Sequence, residues 1–435
     1  MKPANAVTSH FGLLAVVLTA ALTLSGCALL SVDAPPTGAP SNQTTPAEPE
    51  PEPEPSVDPE IELVAQATLL TQQYDYDAAI ELLTGLTSPE ATSALSTAKR
   101  EKDQAVVWPN NLEISHIFFH SLWVDPSRAA KSSSRQGYLD YMVTLSEFNK
   151  MLDQIYANDW VLVSPYDISV LDAEGKMTFN DIDLTKWKKP LVLSIDDVSY
   201  YEYMEGDGFA TNLIINSEGK VVNTYTDANG VTTEGAYDVM PVVDEFILAH
   251  PDFSYRGAKG IIGLTGYNGI LGYRTSPSQY PDSPTLAKDQ ETATEVANAL
   301  KADGWLFASH SWGHISMTKS PMDKIKHDSD LWDKEVRPLI GDTDQFIYAF
   351  GADIAGVENY TLDNPKFKEL NSHGFNYFYP IDASVPHWSQ MVGGSLRQAR
   401  INVDGLRMGF DKTGKKQALS IFYDIDSVID PVRSK

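Results

Sequence analysis

Short apolar runs alternate with amphipathic segments along most of the chain after residue 105. Runs such as ISHIFFHSL, WVLVSPYD, PLVLSIDD, WLFASH and QFIYAFGAD have the length and composition of buried strands. Between most of them lie stretches with apolar residues at helical spacing, such as LSEFNKMLDQIYAND and TATEVANALKADG. The alternation predicts parallel β/α units, and the number of runs in residues 105–435 favours a distorted (β/α)7–8 barrel over an open doubly wound sheet.

One segment, at about residues 201–239, interrupts this alternation. Its sequence TNLIINSEGKVVNTYTDANGVTTEG alternates apolar and polar residues and contains turn signals at SEG and DANG. We therefore expect a β-hairpin inserted near the rim of the barrel, where it would brace a loop or shape a groove.

Residues 61–104 have the apolar spacing of two or three short helices. The stretch YDYDAAIELL is similar to one half of a tetratricopeptide-type hairpin, but a single copy cannot build a solenoid. The sequence thus favours a small helical spacer packed on the main domain over a partner-binding module.

The N-terminus has the features of an export signal. Residues 1–26 contain Lys2, the apolar run FGLLAVVLTAALTL and small residues before Cys27, the only cysteine of the chain. The stretch LSGC resembles the lipobox of bacterial lipoproteins, which implies a diacylated Cys27 at the outer face of the bacterial cytoplasmic membrane. An ordinary signal peptide, giving a secreted and cleaved form, is the alternative. Residues 27–60 are rich in Pro, Glu and Thr and predict a disordered tether that leads from the membrane to the cell wall.

Composition excludes several classes of function. The formal net charge of -26 is unsuited to nucleic acid, whose phosphates require clustered Lys and Arg. A single cysteine rules out a disulfide within the chain. The 42% hydrophobic content is ordinary for a globular domain.

The residues that directly follow the apolar runs carry the candidate chemistry, because active sites of such barrels form at the carboxyl ends of the strands. Asp196 and Asp197 follow one run, and two like charges at such a position repel each other unless a cation or proton relieves them. His310 and His314 follow another run and could present two imidazoles to one ion. Two histidines and one carboxylate form a recurrent zinc set that leaves the second carboxylate free to accept a proton. The alternative is that the aspartates cap a helix and the histidines satisfy a loop.

LVLSIDD and HSWGH together resemble the first two motifs of the polysaccharide deacetylases, the NodB-homology group of carbohydrate esterase family 4. The resemblance covers about residues 110–430 and implies a distorted barrel. It also implies that Asp196 is the catalytic base and that Asp197, His310 and His314 hold one divalent metal ion, with zinc favoured. Val198 departs from the family pattern, which has glycine there.

The third motif departs further from the family. IYAFGAD is closer to the form found in deacetylases that act on poly-N-acetylglucosamine, with Ala349 in place of a proline. The backbone at Phe350 and Gly351 is therefore the candidate for stabilising an oxyanion, and no arginine is assigned at this motif.

Three other residues complete the candidate site. His120 ends the first strand and is predicted to line the site, whereas His116 on the same face is predicted to be a satisfied core histidine. His387, in ASVPHW, is the candidate general acid because the last family motif is not clearly present. Arg400 is predicted to orient Asp196 through a charge-assisted bond.

These features predict a metal-dependent deacetylase that removes N-acetyl groups from an extracellular N-acetylglucosamine polysaccharide, either peptidoglycan or an exopolysaccharide. Aromatic residues near the strand ends could stack on sugar faces, namely Trp312, Tyr200, Tyr201 and Trp388. The departures at Val198 and Ala349 keep open a non-catalytic, metal-containing lipoprotein that binds glycan at the cell surface. A metallopeptidase is disfavoured because HSWGH lacks the glutamate that serves as base in HExxH enzymes.

Overall fold

The computed structural model describes residues 59–415 and 417–434. The predicted export signal, Cys27 and nearly all of the predicted tether lie outside these residues. In the described ranges, no helix is both long enough and apolar enough to cross a bilayer. The described residues form one compact unit.

Three helices open the described chain: α1 (Pro59–Gln72), α2 (Tyr76–Leu83) and α3 (Pro89–Gln104). They pack through small apolar side chains, namely Ala67, Ala79, Leu83, Ala91 and Ala98. The link after α1 is attached to the rest of the unit, since Tyr74 donates a hydrogen bond to Asp252 O at 2.8 Å and its ring stacks on Tyr255. These helices are therefore packed on the main domain.

The strands are short and mostly buried. In chain order they are β1 (Val106–Val107), β2 (Ser115–Phe119), β3 (Trp160–Leu162), β4 (Ser169–Leu171), β5 (Met177–Phe179), β6 (Asp183–Leu184), β7 (Lys189–Ile195), β8 (Asn212–Ile215), β9 (Val221–Thr226), β10 (Thr232–Gly235), β11 (Ile261–Leu264), β12 (Leu306–Ser309), β13 (Gln345–Ile347), β14 (Tyr377–Tyr379), β15 (Ser389–Val392), β16 (Ser395–Gln398) and β17 (Ile401–Asn402).

The remaining α-helices lie mostly between these strands. They are α4 (Arg135–Tyr141), α5 (Leu145–Ala157), α6 (Pro165–Ile168), α7 (Val239–Ala249), α8 (Leu286–Ala302), α9 (Met322–Glu335), α10 (Arg337–Ile340), α11 (Pro365–Ser372), α12 (Gly405–Lys412) and α13 (Ile425–Val428).

Helix α5 illustrates how the sequence builds a layer. It begins with a capping box, in which the Thr144 hydroxyl accepts a hydrogen bond from Glu147 N and the Glu147 carboxylate accepts one from Thr144 N. Its apolar face, with Phe148 buried, belongs to the same core cluster as Ile117 and Phe119 of β2. The outward face of β2 is thus covered by α5, and the alternate residues of β2 face the other side of the sheet.

The main sheet has the order β15-β16-β14-β13-β12-β11-β7-β2-β17, with β3 also paired to β7. Neighbouring strands are parallel except for β15 and β16. Strands β7, β11, β12 and β13 therefore end at one edge of the sheet, where their following residues meet.

The α/β class is confirmed, and the curled sheet is compatible with a distorted barrel. It is not a closed (β/α)7–8 barrel. Strand β16 pairs with β14, whereas the next two-residue strand, β17, pairs with β2, and regular pairing is interrupted between them. The sheet does not close into a barrel, because the chain from β16 to β17 changes its pairing partner from β14 to β2 and is not a continuous strand paired to both.

The interrupting segment forms an antiparallel sheet of its own, in the order β10-β9-β8. The turns fall at the two signals seen in the sequence, between β8 and β9 and between β9 and β10. The sheet has one strand more than the predicted hairpin, because TNLII pairs with VVNTYT on the side opposite to TTEG.

Candidate metal centre

Asp197, His310 and His314 come together at the carboxyl edge of the sheet. Asp197 follows β7, and the histidines follow β12, with β11 between the two strands. His310 Nε2 lies 4.0 Å from Asp197 Oδ1, and His314 Nε2 lies 3.8 Å from Asp197 Oδ2. One ligand atom from each residue lies within 4.8 Å of the others.

The surroundings of His310 fix which nitrogen faces the group. Its Nδ1 lies 3.0 Å from Ile347 O, and since a carbonyl only accepts, Nδ1 carries the proton. Burial lowers the pKa of His310, which favours the neutral ring. Nε2 therefore directs a free lone pair toward Asp197, as a metal ligand requires.

A tyrosine orients the Asp197 carboxylate. Tyr201 donates its hydroxyl hydrogen to Asp197 Oδ1 at 2.6 Å, and its oxygen lies 2.8 Å from Thr265 Oγ1. Burial and the nearby Asp197 raise the pKa of Tyr201 well above its usual value, so the phenol stays protonated. Tyr201 is buried, and it therefore serves Asp197 rather than stacking on a ligand.

The loop between the two histidines is held by a helix. Asp328 of α9 accepts hydrogen bonds from Trp312 N at 2.7 Å and from Gly313 N at 2.8 Å. Glu335, near the end of the same helix, accepts one from the Trp312 indole at 3.0 Å. The backbone positions of His310 and His314 are thus coupled to α9.

Asp196 is buried beside the triad and paired with Arg400. Arg400 donates from Nη1 to Oδ1 at 2.6 Å and from Nη2 to Oδ2 at 3.0 Å. Burial opposes ionisation of Asp196, but the Arg400 guanidinium and then His310 lower its pKa to about 2 from the usual 3.8. The carboxylate is ionised at neutral pH, and its Oδ2 lies 3.9 Å from His310 Nε2.

The two histidines of β2 occupy different environments. His116 is fully buried, with Nδ1 3.1 Å from Gln398 Oε1 and Nε2 2.9 Å from Ser194 Oγ. His120 is half-buried, and its Nδ1 has no hydrogen-bond partner among the described residues. His120 is also among the groups that lower the pKa of Asp196. It therefore lies beside the site, whereas His116 is satisfied within the core.

The two predicted oxyanion donors differ. Gly351 N donates to Tyr348 O at 2.9 Å, so this amide is already engaged. Glycine is needed there, because φ is 63° and a Cβ would lie 2.4 Å from Ile381 Cβ. Phe350 has a φ of 60°, and its ring meets the ring of His314 edge-on at 4.4 Å. Of the two predicted oxyanion donors, Phe350 N is therefore the better candidate.

The described contacts around His387 are made by its chain neighbours, Pro386 and Trp388. Pro386 O accepts a hydrogen bond from Ser115 Oγ at 2.9 Å, and Ser115 is the first residue of β2. The site lies past the other end of β2, where Asp196 N donates to Phe119 O. Trp388 O accepts a hydrogen bond from Ala399 N, the neighbour of Arg400, at 2.9 Å. The role of His387 as the group that protonates a leaving amine stays a prediction.

The four aromatic residues predicted to stack on sugars have other roles. Tyr200 and Tyr201 are buried, and Tyr200 accepts a hydrogen bond from Asn223. The Trp312 indole is bound to Glu335, and the Trp388 ring lies against the Arg397 guanidinium. Burial by the tertiary structure, which strand-end position does not reveal, accounts for Tyr200 and Tyr201. Trp312 and Trp388 are half-buried, and their stacking role stays a prediction.

Sequence reasoning missed two residues that support the ligands, Tyr201 as a hydrogen-bond donor and Asp328. For Tyr201, the signal was its position four residues after Asp197. Asp328 gave no signal, since an aspartate in the middle of an amphipathic helix resembles a solvated surface residue.

The donor set suits a divalent transition metal. Two imidazoles and one carboxylate are common zinc ligands, and they also suit cobalt, nickel or iron. The separations of 3.8 and 4.0 Å between the imidazole nitrogens and the Asp197 oxygens are within twice a metal–ligand bond of about 2.1 Å. The proton on His310 Nδ1 and the Tyr201 bond to Asp197 supply the outer contacts that ligands of this kind usually have.

Comparison with known proteins gives a distant likeness. No protein-family model matches the chain, and no curated protein matches it. Among solved structures, the chain is similar to the Streptococcus pyogenes deacetylase PplD in complex with acetate, with a TM-score of 0.38 and 13% sequence identity. That match covers 72% of this chain and 99% of the PplD chain.

Proposed function

We propose that this protein is a metal-dependent deacetylase that removes N-acetyl groups from an extracellular N-acetylglucosamine polysaccharide. One observation carries the proposal. Two segments more than a hundred residues apart contribute Asp197, His310 and His314 as a possible ligand set, with a second, ionised carboxylate, Asp196, next to them. A ligand set with a neighbouring base is the arrangement that metal-assisted hydrolysis requires.

The roles within the site follow from these contacts. A divalent ion held by the triad, with zinc favoured, would polarise the acetyl carbonyl and make water more acidic. Asp196 accepts the proton of the attacking water, and Arg400 holds both of its oxygens so that the carboxylate keeps one orientation. Phe350 N–H donates to the oxygen of the tetrahedral intermediate.

His120 is proposed beside His387 as a second candidate for protonating the leaving amine. His120 directly follows β2 and lies near Asp196, and its Nδ1 has no hydrogen-bond partner within the described residues. A half-buried histidine can donate a proton to a leaving group, although the unpaired Nδ1 of His120 is itself shielded from solvent. Both histidines could donate a proton, and His120 is considered because it lies near Asp196.

The proposed substrate and location draw on the sequence. The net charge of -26 disfavours strongly anionic polymers, whereas peptidoglycan glycan strands and poly-N-acetylglucosamine offer neutral N-acetyl groups. Lys2, the following apolar run and Cys27 support export and lipid anchoring at the outer face of the bacterial cytoplasmic membrane. The tether would let the enzyme reach the cell wall.

The test is acetate release from N-acetylglucosamine oligomers by the full-length chain, with metal content measured on the same sample. Asp196→Asn is the informative variant, because it removes the base but leaves the three ligands in place. We expect turnover by the wild type, a loss of at least about 100-fold in Asp196→Asn, and equal metal content in both.

A different outcome would favour the second candidate, a glycan-binding protein without turnover. The departure at Ala349 and the engaged amide of Gly351 are the observations that favour it. If the wild type binds one metal ion per chain and releases no acetate from oligomers, peptidoglycan or acetylated esters, the hydrolase proposal is wrong.

A further inference from the structure

Two exposed aromatic rings lie at the candidate site in addition to the four aromatic residues considered above. Tyr203 is 55% exposed and Phe350 is 68% exposed. Large aromatic side chains are usually covered, and exposed ones next to a functional site are a common feature of binding surfaces.

Tyr203 is held rigidly beside the triad. Its ring stacks on that of Tyr201, with centroids 5.5 Å apart and planes 14° apart, and Tyr267 stacks on Tyr201 in a similar way at 5.0 Å. Tyr201 in turn donates its hydrogen bond to Asp197. One face of Tyr203 is thus covered by a residue that contacts a ligand, while more than half of the side chain stays open to solvent.

Phe350 is held in a comparable way on the other ligand. Its ring edge contacts His314, and its loop is fixed by Asp353, which receives two hydrogen bonds from Arg397 at 3.0 and 3.1 Å. Tyr360 donates a further hydrogen bond to Asp353 at 2.9 Å. Phe350 therefore keeps its place while its ring remains exposed.

The sheet order separates the two rings. Tyr203 follows β7 and Phe350 follows β13, and β11 and β12 lie between these strands. Tyr203 is connected to the triad through Asp197, and Phe350 is connected through His314. A ligand whose acetyl group reaches the triad would therefore have an aromatic ring available on each side.

We propose that Tyr203 and Phe350 form two stacking positions that flank the metal centre, so that the substrate is an internal N-acetylglucosamine unit of a polysaccharide chain. The apolar face of one neighbouring sugar would lie on Tyr203 and that of another on Phe350. This inference rests on the proposed deacetylase function and specifies which part of the polymer is the substrate.

The first test is which units of a pentamer of N-acetylglucosamine lose acetate first, read by mass spectrometry after treatment with the full-length, metal-loaded chain. We expect the internal units to react first, and kcat/KM to rise with chain length from the dimer to the pentamer. Deacetylation confined to a terminal unit, or no dependence on chain length, would overturn the proposal.

The second test concerns the ring of Tyr203. In Tyr203→Ala we expect KM for the pentamer to rise about 3- to 10-fold, with kcat and metal content unchanged, because stacking contributes only to binding. Tyr203→Phe keeps the ring and should behave like the wild type. Trp187→Ala is the control, since Trp187 is also exposed but precedes the start of β7, at the end opposite to Asp196.

Failure of this inference can be told apart from failure of the proposed function. If wild type and Tyr203→Ala release acetate from every oligomer with the same KM, the stacking positions are wrong and the deacetylase stands. If the wild type releases none, binding of the pentamer to the metal-loaded chain is measured by calorimetry. Equal affinity of the wild type and Tyr203→Ala would then reject the stacking position, and weaker binding by the variant would retain it.

Discussion

The residues of the candidate site share an unusual backbone conformation. Asp197, Ser311, His314 and Phe350 all have φ between 49° and 62°, a region that residues with a Cβ seldom adopt. Each such position costs of order 1–3 kcal/mol and persists only where the surroundings impose it. Between Ser311 and His314, the Asp328 carboxylate holds this conformation by accepting from the backbone amides of Trp312 and Gly313. The ligands are therefore preorganised by the fold.

Arg400 is the residue whose removal should change the pH dependence of activity. Arg400→Met leaves the burial of Asp196 in place and removes the opposing positive charge, so the pKa of Asp196 should rise from about 2. Because the wild-type pKa lies near 2, we expect only the variant to lose kcat/KM at the acid end of a profile measured from pH 3 to 9. An unchanged acid limb would show that Arg400 does not control the base.

The ion pair of Asp196 and Arg400 also stabilises the folded state, and its contribution depends on pH in a definite direction. Because the folded pKa of Asp196 lies below the unfolded value of 3.8, its contribution is present above about pH 4 and is lost as the pH falls toward 2. In urea unfolding, Arg400→Met should therefore lose more stability relative to wild type at pH 7 than at pH 3. Equal losses at the two pH values would contradict this linkage.

Tyr201 should act through the metal ligand it orients. Tyr201→Phe keeps the stacked ring but removes the hydrogen bond to Asp197, and loss of such an outer contact typically costs 10–100-fold in metal affinity. Zinc affinity measured by competition with a chelator checks this, with Tyr267→Phe as the matched control. Equal affinities in the two variants would show that the hydroxyl does not support the site.

The residues that were predictable are those whose position follows from the strand ends. Asp196, Asp197, His310 and His314 directly follow apolar runs, and parallel strands place such residues at one edge. Arg400 was also predicted to orient Asp196, and the two residues are paired. The contact of Asp328 was not predictable in the same way, because Asp328 reaches the site only through packing of a distant segment.

At the level of elements, α9 stabilises the loop between His310 and His314. Its buried side, with Ile325, Asp328, Ser329, Trp332 and Glu335, carries two carboxylates among the apolar residues. Burying carboxylates costs their solvation free energy, and the hydrogen bonds that they accept from the loop offset this cost and fix the loop geometry. Helix α9 is thus tied to the two histidines more closely than its sequence indicates.

Asp328 can be tested against a neighbour on the same helix. Asp328→Asn halves the capacity to accept from Trp312 N and Gly313 N, so we expect about 10-fold weaker zinc binding. Asp330 is exposed, and Asp330→Asn should leave zinc affinity unchanged. The d–d spectrum of the cobalt-loaded chain gives an independent readout, because a displaced histidine would alter it.

The elements that were predicted correctly are those with the clearest local sequence pattern. The strands β2, β7 and β12 and the helix α5 occur where periodicity and apolar runs indicated them. The additional strand beside the predicted hairpin and the incomplete closure at β16 and β17 depend on pairing partners far apart in the chain. Local pattern carries no information about such partners.

At the scale of the whole molecule, the C-terminal segment ties back to the helix that covers the first strand. Arg433 donates from Nε to Glu147 Oε1 at 2.6 Å and from Nη2 to Oε2 at 2.7 Å, and it also reaches Leu139 O and Met142 O. Glu147 is fully buried and caps α5 as well. Since α5 packs on β2, which His120 directly follows, the end of the described chain helps to fix one wall of the site.

Removing one partner of this pair should destabilise the whole unit. In Arg433→Met, Glu147 remains buried without its main counter-charge, which typically costs about 3–5 kcal/mol. The exposed pair of Lys412 and Asp426 is the control, since Lys412→Met should change the free energy of unfolding by less than about 1 kcal/mol. Urea denaturation of the full-length chain measures both. Similar small losses would mean that the C-terminal segment is not part of the cooperative unit. The double variant Arg433→Met with Glu147→Gln leaves no unpaired buried charge. If it recovers part of a large loss seen in Arg433→Met alone, the buried charge of Glu147 is the cause of that loss.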